Sequence, residues 1–293
     1  MNDALAFSPA RLLLAAMAAL ALTACGWKSD GLARLDELGP PAAAAGPDTG
    51  SHGPIDLGSP QCRGLGGNWA LMLVEPGTIA PLGEPWKLTV TDLFLARTEA
   101  GARAVELTFC DQVTRIVTSG GATDLGRSKV PDALRAALAK APVVVALPGD
   151  GTFQATDQVW LWGLRDLPNP VTDALPTKDD FASDPHLWDQ DGDGNPGVTM
   201  NILAPAGDRY MVRRARWTFA PAHLTLDNAW LTGTLTASIE ENALGASTAL
   251  LLTSAPITPK ADGAVYQFRC VGSTYTCPAL AQDYAELFKD APR

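Results

Sequence analysis

The sequence predicts a mainly β chain, folded as an antiparallel β-barrel or a β-sandwich that carries two short helices. Period-two alternation is the first observation behind this reading. Leu231, Gly233, Leu235, Ala237 and Ile239 alternate with Thr232, Thr234, Thr236, Ser238 and Glu240, which describes a strand with one face in a core and one in water. The second is recurrence: Trp86, Leu88 and Val90 alternate with Lys87 and Thr89, Val105, Leu107 and Phe109 with Glu106 and Thr108, and Tyr266 and Phe268 with Gln267 and Arg269. The third is punctuation by Gly or Pro between most of these runs, the pattern of a barrel or sandwich.

In chain order, Arg11 precedes an apolar run over 12–22 that is too short to cross a bilayer as a mature helix and has the length of a secretory signal's apolar region. Residues 1–24 therefore read as a signal peptide. Residues 25–61, with Pro40, Pro41, Gly46 and Pro47 around a run of alanines, read as a tether. Such a coil would let a folded domain stand on the order of 30 Å from its point of attachment. Residues 62–293 read as a single β-rich domain. Its further strands are expected over 68–75, 113–118, 143–147, 152–164, 198–203, 208–219 and 223–230. One helix is expected over 131–140, where Pro131 opens the first turn, Leu134 and Leu138 share a face and Pro142 stops it. A second starts at Pro278, with Leu280, Tyr284, Leu287 and Phe288 in a stripe opposite Asp283, Glu286 and Lys289.

The most chemically specific stretch is Asp189-Gln190-Asp191-Gly192-Asp193-Gly194-Asn195. Three carboxylates at alternate positions repel one another unless a hard cation lies between them, and a donor set made only of oxygen suits Ca²⁺ better than zinc. The spacing matches the first half of an EF-hand loop, with Asp189, Asp191 and Asp193 at positions 1, 3 and 5 and the Asn195 carbonyl at position 7. The second half departs from it: Met200 stands where the bidentate carboxylate would be, and an apolar run follows where a helix would. The expectation is a calcium loop outside an EF-hand, completed by water or by an upstream acid such as Asp184, Asp180 or Asp179. The competing reading is a solvated acidic turn.

Setting aside Cys25 leaves Cys62, Cys110, Cys270 and Cys277, an even number in an exported chain and so two expected disulfides. Three connectivities satisfy that count. The preferred one joins Cys270 to Cys277 through a short loop and Cys62 to Cys110. The net charge of −10 excludes electrostatic binding of nucleic acid.

Two resemblances add to this. Leu22-Thr23-Ala24-Cys25 resembles the bacterial lipobox, which implies cleavage before Cys25, acylation of its thiol and attachment to a membrane through the N-terminal lipid. Gly26 is not the aspartate that retains enteric lipoproteins in the inner membrane, so the implied address is the outer membrane. Gly67-Asn68-Trp69 resembles the G-x-W signature of lipocalins and other calycins. That resemblance implies a barrel whose floor is closed by Trp69, with Arg269 stacked on it. The whole order of parts, from lipobox to acidic loop to Arg-rich strand, is similar to exported myxobacterial lipoproteins and implies architecture and location only.

No G-x-S-x-G, H-E-x-x-H or P-loop motif occurs, and His52, His186 and His223 form no constellation. The expected function is a non-enzymatic, lipid-anchored envelope domain stabilised by calcium, holding a small apolar ligand or an envelope partner. The alternative is a metal-dependent envelope hydrolase, in which His186 would face the acidic loop. Trp160 and Trp162 are expected in the core. Arg209, Arg213, Arg214 and Arg216 are expected on a partly exposed strand, Arg213 facing away from Arg214 and Arg216.

Overall fold

A computed structural model describes residues 62, 66–80, 85–99, 103–118, 124–148, 152–180, 183–203, 206–223, 229–252, 257–260 and 263–291. All fall in the compact unit Ile55–Arg293. The signal segment 1–24 and Cys25 with its tether, 25–61, lie outside the described residues.

Alternation gives strands, and the strands pair antiparallel throughout. They are β1 (Gly67–Ile79), β2 (Trp86–Thr98), β3 (Ala104–Val117), β4 (Asp124–Lys129), β5 (Val143–Ala146), β6 (Phe153–Trp162), β7 (Val198–Leu203), β8 (Ala206–Ala222), β9 (Trp230–Ala246), β10 (Ile257–Pro259) and β11 (Val265–Val271). The pairings run β1, β2, β3, β4, β7, β8, β9, β11 and back to β1, so the sheet wraps into a barrel-like form. Its one narrow join is β4 to β7, a single bridge between Lys129 and Asn201. Three strands carry two partners along one edge: β5 and β4 share an edge of β3, β6 and β7 an edge of β8, and β10 and β11 an edge of β1.

The inward residues of these strands make one core. Trp69, Leu71, Leu73, Phe94, Leu107, Phe109, Phe153, Trp160, Trp162, Trp217, Phe219, Tyr266 and Phe268 belong to it. Their rings meet edge to face or tilted, with centroids 4.8 to 6.3 Å apart, the spacing that aromatic quadrupoles favour. The cavity left beside Trp69 and Phe268 is about 10 Å³, the room of a single water. The expected core placement of Trp160 and Trp162 is thus met.

The two helices have different tasks. Helix α1 (Asp132–Ala139) crosses from β4 to β5, and its Leu134 and Leu138 enter the barrel core. It fills the wall beside β3 between the β5 pairing, which ends at Leu107, and the β4 pairing, which starts at Val113. Helix α2 (Cys277–Leu287) lies outside, packing Leu280, Leu287 and Phe288 on Ala70, Leu93, Leu95 and Trp230. Thr276 caps it by accepting the Ala279 amide through Oγ1.

Several expectations need correction. The disulfides are Cys62–Cys270 and Cys110–Cys277, with Cα separations of 6.1 and 4.8 Å. The preferred connectivity followed nearness in sequence, whereas ring closure sets Cys270 directly opposite Trp69 on β1, near Cys62. The expected strand 223–230 is not formed at His223 or Ala229, its described ends outside β8 and β9. Runs 105–109 and 113–118 are one strand, β3, bent by a bulge opposite Leu93 and Phe94. Strands β4 and β10 were not expected at all.

Candidate metal centre

The connection from β6 to β7 spans residues 163–197 and is anchored before it turns acidic. Leu164 bridges Leu187, the Arg165 amide donates to the His186 carbonyl, and the Trp188 amide donates to the Gly163 carbonyl. Leu164 and Leu175 pack with Val212 and Leu244 on the outer face of β8 and β9. Arg214, also on that face, donates to the carbonyls of Pro170 and Asp173 and pairs with Glu240. Asn242 Nδ2 donates to the carbonyls of Leu175 and Pro176. A long segment is thereby ordered by backbone bonds to side chains of the barrel.

The acidic loop itself closes on two glycines and a glutamine. The buried Gln190 accepts the Gly163 amide through Oε1 at 2.7 Å, and its own amide donates to the Gly197 carbonyl at 3.0 Å. Gly163 and Gly197 both have positive φ, +69° and +80°, and stand so close that a Cβ on Gly163 would lie 2.6 Å from the Gly197 Cα. A Cβ on Gly197 would lie 2.3 Å from the Met211 carbonyl oxygen. Only glycine meets both demands.

Above this neck Asp189, Asp191 and Asp193 converge, each offering one carboxylate oxygen, all within 4.8 Å of one another. The chain turns around Asp189, whose carboxylate accepts the amides of Gly192, Asp193 and Gly194 at 2.8, 3.2 and 2.9 Å. Thr199, the second residue of β7, fixes the other two: its amide donates to Asp191 Oδ2 at 2.9 Å and its hydroxyl to Asp193 Oδ2 at 2.5 Å. Asp191 Oδ1 is shielded from solvent and has no hydrogen-bond donor. Burial, with the charges of Asp193 and Asp189 adding to it, raises the Asp191 carboxyl above its ordinary range although the Thr199 amide opposes this. For Asp193 burial acts in the same direction, but the bonds from Thr199 and Asn195 outweigh it and hold the carboxyl low. An acceptor-only cluster with one buried, undonated oxygen could hold a metal ion, because a cation supplies the positive partner that the chain does not.

The remaining expected ligands separate. Asn195 stays in the loop, its amide donating to Asp193 Oδ1 at 2.8 Å. Asp184 is not in the cluster; its Oδ1 accepts the His186 amide at 2.8 Å and caps the turn instead. Asp180 likewise accepts the amide and hydroxyl of Thr177. His186 Nδ1 lies 3.2 Å from the Arg165 carbonyl oxygen. The expected stack of Arg269 on Trp69 is not formed: Trp69 points inward against Phe268, while Arg269, one residue from Cys270, points outward and lies 4.4 Å over the Trp230 ring. Of the arginine cluster, Arg213 and Arg214 are buried on opposite faces of β8.

Sequence reasoning missed a second polar group, inside the barrel: Glu75 on β1, Asp92 on β2, Gln112 on β3 and Arg213 on β8, all buried. It separates the aromatic core from a smaller apolar cluster of Leu88, Val90 and Ile239. The signal that could have found it is phase. Glu75 continues the inward series Leu71 and Leu73, and Asp92 sits between Val90 and Phe94 in the same alternation.

Fold and site together define a barrel-like antiparallel β domain with an acidic loop docked on its outer face. No protein-family model, curated protein or solved structure matches the chain.

Proposed function

We propose that this chain is a lipid-anchored protein of the bacterial envelope, non-enzymatic, whose β domain is stabilised by one calcium ion bound at Asp189, Asp191 and Asp193. The observation that carries the metal is the buried, undonated Asp191 Oδ1 among converging carboxylates. Calcium is favoured over softer ions because every side-chain ligand is an oxygen, and Asn195 and water complete the set. Location rests on the lipobox at 22–25 and on two disulfides, which persist in oxidising compartments. The ion ties β7 to the long β6–β7 connection and so stabilises the folded state by mass action, without acting on a substrate.

An apolar ligand or an envelope partner would meet this domain from outside, since the interior is filled by its own rings. The outer cleft of about 470 Å³ between α1 and α2, floored by Phe109, Cys110 and Cys277, has the size of a small-molecule site. The test of the metal is thermal unfolding with calcium and with chelator. Saturation a hundredfold above Kd stabilises by about 2.7 kcal/mol, which corresponds to a shift on the order of 5 °C or more. Asp191→Ala abolishes the difference; identical curves for the unaltered chain with and without chelator refute the ion. The lipid is tested by the mass of the mature N-terminus, an unmodified Cys25 being the refuting result.

A further inference from the structure

Each carboxyl of the interior polar group has one oxygen satisfied and one not. Trp217 Nε1 donates to Glu75 Oε1 at 2.7 Å, and Gln112 Nε2 donates to Asp92 Oδ1 at 2.5 Å. Arg213 donates to Gln112 Oε1 at 2.9 Å, lies 4.6 Å over the Trp162 ring and stands 3.7 Å from Glu241 Oε1. Glu75 Oε2 and Asp92 Oδ2 are buried and accept no bond from any nitrogen or hydroxyl. Yet Glu75 and Asp92 are diagonal neighbours on the paired strands β1 and β2, Asp92 opposite Leu73 and Glu75 opposite Val90, and both are buried on the inner face. Two charged carboxylates buried as neighbours repel. A proton held between the two unpartnered oxygens would turn that repulsion into a hydrogen bond that satisfies both at once.

Charge counting leads to the same place. Among the described residues, the charged groups facing this layer are Arg213 and Arg209 from β8 and Glu241 from β9, with Glu75 and Asp92 from β1 and β2. From β11 the ionisable group is Tyr266, whose hydroxyl donates to the Ala220 carbonyl, and β3 and β6 contribute the neutral Gln112 and Trp162. Among the buried members, Arg213 is a single cation beside two carboxyls, so with one carboxyl neutral one cation balances one anion. If both are charged, a buried negative charge is left over, at a cost that low-dielectric surroundings make large. Burial first, then the charge of Asp92, pushes Glu75 up to about 8, against the opposing pull of Arg213 and Trp217. Burial also raises Asp92, although Arg213, Gln112 and Glu75 all favour its charged form. Burial thus disfavours the charged form of both carboxyls, so the pair holds a proton.

We propose that Glu75 and Asp92 share one proton inside the barrel, that the domain takes this proton up as it folds, and that its release in alkaline medium loosens the sheet between β1, β2 and β8. The layer is a proton-binding site built into the fold, independent of the acidic loop outside.

The test is equilibrium unfolding of the intact chain at a series of pH values from about 5 to about 8, followed by tryptophan fluorescence, for the unaltered protein and Glu75→Gln. Glutamine reproduces the protonated form: its oxygen accepts from Trp217 and its amide donates to Asp92. The unfolding constant of the unaltered protein should rise by about tenfold per pH unit more than that of Glu75→Gln, the signature of about one proton bound only in the folded state. Equal slopes overturn the proposal. Repeating the series in saturating calcium and in chelator should leave the difference in slopes unchanged; loss of the difference in either condition also overturns it. If Glu75→Gln does not fold, infrared spectra of the unaltered protein decide: a protonated-carboxyl band at neutral pH that vanishes on unfolding supports the proposal, and its absence from the folded state refutes it.

Discussion

Opening the Cys62–Cys270 bridge removes the covalent link between the chain's entry into the domain and its last strand. The expected loss follows from topology. The bridge spans 208 residues and interleaves with Cys110–Cys277, which spans 167. With the second bridge intact, the shortest covalent path around the first is about 55 residues, and closing a loop of that length in the unfolded chain accounts for about 4 kcal/mol. Cys270 is buried in the aromatic core, so alanine there leaves little void, and Cys62 is half-buried, so serine is tolerated. Cys62→Ser with Cys270→Ala should therefore lower the unfolding free energy by about 4 kcal/mol, a large part of the 5 to 15 kcal/mol typical of a domain. Urea unfolding without reductant, read by fluorescence, measures it. A loss under about 1 kcal/mol would refute the reasoning and show that the β1–β11 ladder alone holds the entry. Had the bridge joined Cys270 to Cys277, its short loop would give only about 2 kcal/mol.

Gly197→Ala should destabilise the domain by about 2 kcal/mol or more, because its Cβ would lie 2.3 Å from the Met211 oxygen at positive φ, and should abolish calcium protection as the neck shifts; urea unfolding with and without calcium measures both. Trp217→Phe keeps the ring but removes the donor to Glu75 Oε1, leaving a further buried oxygen unbonded; a loss of about 2 kcal/mol near neutral pH is expected in the same assay. For Glu75 itself the sign is fixed by its raised folded value. Between its ordinary value of 4.5 and about 8 the folded state holds a proton that the unfolded state has lost, so stability is greatest at the acid end and falls by about 1.4 kcal/mol per pH unit across that window.

The β class was legible because a half-buried strand must alternate, and residues 231–240 do so without a break in β9. The acidic loop was legible because carboxylate spacing is local: Asp189, Asp191 and Asp193 converge through amides within the loop and through Thr199. What failed is long-range. Nothing between Cys62 and Cys270 in sequence says that the last strand pairs with the first, yet that pairing selects the disulfides. The interior polar layer hid for a related reason. A bulge at Cys110 shifts β3 from inward Phe109 to inward Gln112, so the alternation of that strand changes phase where the polar side chain enters. Arg213 and Arg214, neighbours of opposite facing, could not be recognised as buried until the partners of each face were known, Gln112 inside and the Pro170 and Asp173 carbonyls outside.

Native mass spectrometry of the purified protein across a calcium titration tests the metal directly. The predicted result is a saturable mass increment of one Ca²⁺ per chain that Asp191→Ala removes. A spectrum that keeps only the metal-free mass at every calcium concentration, or an increment indifferent to Asp191→Ala, would contradict it.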